Sequence, residues 1–231
     1  MVTFTNSGRK DVYVSGPTKT FYAGARIPFG SAVIRQGTLG RIQAAILEDT
    51  NQVIGVACSD EAEHTYDGFY EIGEPVRVAL KGAVVRANVV TIAATDLIAG
   101  DFLDVVDHTS GTAATGTGLL AESGTNAGTV RVVTTTIAQA LEDVTLGSDT
   151  YKAPSSTPTA GTKTIAMTSG DPTLMGLQVG DFILTADANG TDGEVNAVTA
   201  ITDTQLTTLL PITTAACDLV YAIRQIEVIL I

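Results

Sequence analysis

The stretch Pro75-Val76-Arg77-Val78-Ala79-Leu80-Lys81-Gly82-Ala83-Val84-Val85-Arg86-Ala87 decides the fold. Val76, Val78 and Leu80 alternate with Arg77, Ala79 and Lys81. Successive side chains of a strand point to opposite faces, so this period of two describes a strand with one face buried. Gly82 breaks the run, and Ala83–Ala87 resumes it. Two β-branched runs around one glycine read as strand, turn, strand.

The same pattern extends in both directions. Asp11–Val14, Ala32–Arg35 after the Pro28–Gly30 turn, and Gln52–Ala57 precede it; Phe102–Val106 and Thr129–Val133 follow. Thr136–Asp143 fits either two helical turns or a strand plus a turn. Tyr151–Gly161 has two prolines, small polar residues and no large aliphatic side chain, which is linker composition. Beyond it, Lys163–Met167, Gly180–Leu184 and Glu194–Val198 restart the β pattern. The chain ends in Gln225–Ile231, an apolar strand expected to be paired inside a sheet rather than left at an edge.

The expected architecture is all-β. Residues 21–150 form a β-barrel or β-sandwich, and residues 163–231 a second, smaller all-β domain. Residues 151–162 link them, and residues 1–20 make an extended basic N-terminal arm. Leu97–Leu103 and Leu177–Ile183 are alike, each reading as a Gly-Asp corner that feeds an apolar strand. Glycine supplies the permissive backbone and the aspartate can cap the turn.

The 231 residues include 13 Lys+Arg and 25 Asp+Glu, a net charge of -12, yet only 16% are charged. With 45% hydrophobic residues the chain is not a disordered polyanion. Nucleic acid is not an expected partner, since it needs clustered cations to neutralise phosphates. No apolar stretch approaches the ~20 residues that span a bilayer, so no membrane association is expected. Met1–Asn6 lacks the apolar core of a signal peptide. Cys58 and Cys217 have no metal-binding or redox spacing and read as buried free thiols.

Charge is unevenly spread. Residues 1–41 carry +5, residues 42–150 carry -12 and residues 151–231 carry -5. A basic leading segment on an acidic body suits docking on an acidic partner.

Catalytic and metal signatures are weak. Asp60, Glu61, Glu63, His64 and Asp67 offer donors for a divalent cation, and a metal-dependent hydrolase would have to use them, but the segment reads first as a solvated loop. His108 has no neighbour that makes it a general base. Asp187–Glu194 begins like a calcium loop, but Val198 stands where a bidentate glutamate is needed, so Asn189-Gly190 and Asp192-Gly193 read as hairpin turns. No nucleophile elbow or phosphate loop is present in the sequence. Neither catalytic nor cofactor-binding nor metal-ligating residues are expected, and the chain is not expected to be an enzyme.

Four segments in order, Val53–Ala57, Glu71–Val84, Ile98–Asp101 and Ile137–Asp143, resemble the capsid decoration (cement) proteins of tailed bacteriophages and related archaeal viruses. The likeness covers roughly residues 20–145; Ala138 or Gln139 stands where that family usually has glycine. The resemblance implies a β-tulip-like decoration domain, made in the host cytoplasm. It would sit as a homotrimer on the outside of a virion, clamping the major capsid protein. It further implies Arg9, Lys10, Lys19, Arg26 and Arg35 as capsid-contact residues. A receptor- or glycan-binding spike or fibre module is the alternative, and would expose aromatics in the C-terminal domain.

Overall fold

The structure is a computed structural model that describes residues 14–37, 40–45, 52–58, 68–90, 96–106, 109–110, 115–123, 126–127, 130–131, 136–144, 151–152, 158–167, 172–186, 193–213 and 217–231. Its strands are β1 (Val14–Ser15), β2 (Thr18–Ala23), β3 (Ile27–Pro28), β4 (Ala32–Gln36), β5 (Arg41–Ala44), β6 (Val53–Ala57), β7 (Phe69–Tyr70), β8 (Pro75–Ala79) and β9 (Val84–Val90). There follow β10 (Phe102–Val105), β11 (Thr109–Ser110), β12 (Thr115–Gly116), β13 (Leu120–Glu122), β14 (Asn126–Ala127), β15 (Val130–Arg131), β16 (Ala138–Ala140) and β17 (Tyr151–Lys152). The last are β18 (Thr164–Ala166), β19 (Phe182–Ala186), β20 (Gly193–Thr202), β21 (Gln205–Thr208) and β22 (Leu219–Leu230). The described residues contain no α-helix; a 3-10 turn spans Pro172–Met175. The chain is all-β, as its residue pattern implies.

Strands β2, β5, β4, β6 and β8 close into a barrel. Alternation fills it: Phe21, Ala23, Val33, Ile42, Ala57, Val76 and Val78 are buried together with Ile27, Phe29 and Tyr70. Phe29 and Tyr70 meet edge to face at 4.7 Å, and the Tyr70 hydroxyl donates to the Cys58 carbonyl, so the ring's polar end is satisfied inside the core.

A second circuit closes next to it. β9 pairs with β13, β13 with β10, β10 with β16, β16 with β22, and β22 returns to β9. Val85, Ala87, Val89, Leu103, Val105, Leu120, Ala138, Ala140, Ile226, Val228 and Leu230 share its core. The other half of β22 lies in an open sheet with β19, β20, β21 and β18. One face of that sheet buries Ile165, Met167, Ile183, Val198 and Leu206; the other buries Phe182, Leu184 and Tyr221.

The register crosses the boundary expected at 151–162. Strand β17 pairs with β22, while residues 153–157 of that segment lie outside the described residues. Strand β22 is common to the second barrel and the open sheet, with Ile223–Ile229 opposite Val84–Val90. The physical reason is burial: Ile226, Val228 and Leu230 each gain about 1.5–3 kcal/mol by leaving water, and the second barrel holds the apolar interior that accepts them. Within the expected arm, Val14–Ser15 pairs with β9 and Thr18–Thr20 belongs to the first barrel; residues 1–13 lie outside the described residues.

Among the described residues one turn recurs six times: Pro28–Ser31, Glu71–Glu74, Leu80–Ala83, Ile98–Asp101, Thr159–Thr162 and Gln178–Asp181. Each closes with its fourth amide on its first carbonyl, and each has a glycine third, with φ from 81° to 105°. That is a type II turn, whose third position only glycine fills without strain. The glycine amide donates to one residue of a neighbouring segment, a strand in every case but Ile212, and that residue's own amide donates back to the fourth turn residue. That neighbour is Ala57, Ala23, Leu230, Ala140, Ile212 and Val198 in turn. Each corner is thereby sewn to the sheet it enters.

Candidate functional site

Three of these corners carry an acid at the fourth position, and its carboxylate accepts the amide of the first. Glu71 N–H reaches Glu74 at 2.7 Å, Ile98 N–H reaches Asp101 at 2.9 Å and Gln178 N–H reaches Asp181 at 2.8 Å. The Leu141-Glu142-Asp143 segment supports the middle one. Asp143 accepts the Ala99 amide at 2.7 Å, and Glu142 holds the buried Arg86 guanidinium at 3.0 Å. Arg86 also donates to the Gln225 carbonyl at 3.1 Å, so one cation ties β9 to β22.

The large apolar side chains that remain exposed gather at the corners. Ile72, Ile98 and Val179 lie within them, and Phe102 directly follows one. Tyr22, Leu141 and Ile231 each adjoin the strand residue that a corner is bonded to, namely Ala23, Ala140 and Leu230. Hydrogen-bonded corners thus present the large exposed apolar side chains. Exposed apolar groups on rigid supports are a surface suited to protein contact.

Of the cations expected to meet a partner, Lys19 and Arg35 lie at the same end of the first barrel, on strands separated by β5. β2 is parallel to β5 while β4 is antiparallel to it, so the start of β2 and the end of β4 lie at one mouth of the first barrel. Both side chains are exposed, and neither has an ion pair among the described residues; the Lys19 ammonium stands 5.5 Å from the centre of the Phe21 ring. Arg26 follows β2 and so lies at the opposite end, where it is paired with Glu71 at 2.6 Å and stacked near Phe69 at 5.9 Å. Arg9 and Lys10 lie outside the described residues.

Sequence reasoning passed over Arg41 and Arg77. In register, Arg41 sits beside Tyr22 and Arg77 beside Thr20, all on the barrel's outer wall. Parity was the signal that could have found them, because Tyr22, Arg41 and Arg77 alternate with buried Phe21, Ile42 and Val76.

The Asp60–Asp67 cluster, His108 and Asp187–Asp192 lie outside the described residues. Among the described residues no three His, Cys, Asp or Glu are grouped to hold a metal ion. Also among them, no helix is long and apolar enough to cross a membrane. Cys58 and Cys217 are buried thiols that form no disulfide. Burial, then the charges of Glu194 and Asp218, push the Cys217 thiol up to about 12, so it stays neutral and unreactive. Phe182 and Tyr221 are buried, whereas Tyr22 and Phe102, on the two barrels, are exposed.

No protein-family model matches the chain, and no curated protein matches it.

Proposed function

We propose that the chain is a virion structural protein that binds the outside of a viral capsid as a homotrimer and clamps neighbouring major capsid subunits. One observation carries the reading: the cationic mouth formed by Lys19 and Arg35 on a closed barrel. A closed barrel has no edge to fray, and cations fixed on it meet an acidic shell surface at little entropic cost. The corner hydrogen bonds and the Arg86–Glu142 pair supply the rigidity that a clamp on a strained shell needs. The ordered motifs shared with decoration proteins and the low charge of the chain point the same way.

Sedimentation with expanded, undecorated shells tests the reading. The full chain should pellet with shells at a saturable ratio. The double variant Lys19→Glu, Arg35→Glu should lose about tenfold in affinity, mostly as slower association at low salt. Truncation of residues 1–13, which leaves every described strand intact, reports separately on Arg9 and Lys10. A folded full-length chain that does not bind shells would end this reading.

A further inference from the structure

One row on the outer face of the second barrel is apolar on three of its four neighbouring strands. Register places Phe102 opposite Gln139, Gln139 opposite Ile229 and Ile229 opposite Val84, a row that crosses β10, β16, β22 and β9. Phe102 is 52% exposed, and Ile229 and Val84 are half-buried. Leu141 and Ile98, 43% and 57% exposed, extend the row around the Gly100 corner. Carboxylates border it on the Gly100 side, where Asp96 and Asp143 are exposed and Asp101 is half-buried; at the Val84 end the exposed Lys81 stands in the preceding corner.

The first barrel carries a face of the opposite character. Pro75, Tyr22 and Arg41 form a register row across β8, β2 and β5, with Arg77 one row away. Tyr22 is 59% exposed, and Ile72, 65% exposed, stands at the adjoining corner. Here the apolar centre is bordered by the exposed guanidinium groups of Arg41 and Arg77, while at the Ile72 corner Glu71 is paired with Arg26 and the half-buried Glu74 carboxylate accepts the Glu71 amide. By strand parity this wall is separate from the Lys19–Arg35 mouth: Lys19 and Arg35 share the inward rows of Phe21 and Val33, while Tyr22 and Arg41 share the outward ones.

We infer that these two faces bind each other in different copies of the chain: the Tyr22 wall of one protomer docks on the Phe102 face of the next. Apolar centres with oppositely charged rims fit one another and repel themselves, so the charges favour the unlike pairing over either like one. Because the contact joins two different faces, it is heterologous, and repetition closes a ring or runs on as a filament. The inference rests on the self-association in the proposed function and names the surfaces that carry it.

Tyr22→Asp and Phe102→Asp test it together, since both side chains are largely exposed and neither change removes core volume. Circular dichroism and thermal melting check each fold, and light scattering after size exclusion gives the mass. The expected result is an oligomeric parent chain, two monomeric variants and a one-to-one dimer when the variants are mixed. The mixture is decisive: the Phe102→Asp copy keeps its Tyr22 wall and the Tyr22→Asp copy keeps its Phe102 face, which leaves a single intact contact. A monomeric parent chain would overturn both the inference and the trimer, and shell binding by that monomer would leave the capsid reading standing. An oligomer that survives both substitutions would overturn these surfaces while leaving self-association in place. Dissociation by Phe102→Asp alone, with no dimer on mixing, would replace the inference by an isologous contact.

Discussion

The two barrels solve the same problem by different routes. The first is closed by strands drawn from Thr18–Ala79 and is filled by Phe21, Phe29 and Tyr70. The second opens at Val84 and is closed only by β22, more than a hundred residues later, over a core of alanine, valine and leucine. The first closes on near contacts; the second pays its loop-closure entropy late, which makes it the slower and more fragile unit. Its ion pairs differ to match. Arg26–Glu71 on the first barrel is 42% exposed on both side chains, whereas the Arg86 side chain on the second is only 9% exposed.

Removing residues 226–231 breaks this comparison most severely. The loss of Ile226, Val228 and Leu230 takes away about 1.5–3 kcal/mol each, besides their ladder hydrogen bonds, and approaches the whole stability of a domain. Hydrogen exchange should show residues 84–140 unprotected while residues 18–79 keep slow amides. Equal loss in both would mean that the first barrel does not stand by itself.

Glu142→Ala is the next largest effect. It leaves a buried guanidinium without its carboxylate and should cost about 3 kcal/mol in urea denaturation, whereas Glu71→Ala should cost under about 1 kcal/mol. Equal costs would erase the distinction drawn between the two pairs.

Alkaline pH should loosen the β22 side first. Cys217 stays protonated in the folded chain to about 12, against an ordinary value of 9.0. Above pH 9 the unfolded chain binds fewer protons than the folded one, so stability falls with rising pH. The loss is about 1.4 kcal/mol per pH unit and continues until the folded thiol itself ionises. Below pH 9 this contribution is fully present. Cys217→Ala should flatten that slope, and in the parent chain the thiol should resist a thiol-reactive dye until the fold opens.

The corners give the smallest effect. Asp101→Ala and Asp181→Ala each remove one carboxylate from a turn amide and should lower stability by about 1 kcal/mol, read from denaturation midpoints. Asp101→Asn, which keeps an acceptor oxygen, should recover most of that loss.

Much of the fold was legible in local pattern. Period-two alternation located Pro75–Ala79 and Val84–Val90, and the likeness of Leu97–Leu103 to Leu177–Ile183 exposed a turn whose hydrogen bonds are the same in both copies. Three of its other four occurrences were hidden because Ser31, Ala83 and Thr162 stand where the acids do, and the backbone pattern does not depend on that side chain. The closure of the second barrel was not legible. Tyr151–Gly161 reads as a linker on composition, but the pairing of β22 with β9 depends on partners remote in sequence that no local period encodes. The burial of Arg86 was not legible for the same reason, because Glu142 is distant in the chain. Of the candidate site, Lys19 and Arg35 were visible as charge; that they share a mouth, and that Arg26 is occupied by Glu71, follows only from strand direction and contact.

The measurement that bears most directly on the proposed role is a cryo-electron microscopy reconstruction of the virion to which the chain is proposed to belong. The account expects twin-barrel density on the outer surface of the shell, with the Lys19–Arg35 mouth against the major capsid protein and the Tyr22 wall of each copy on the Phe102 face of its neighbour. Density confined to a fibre tip, or a shell that carries no copy of the chain, would contradict it.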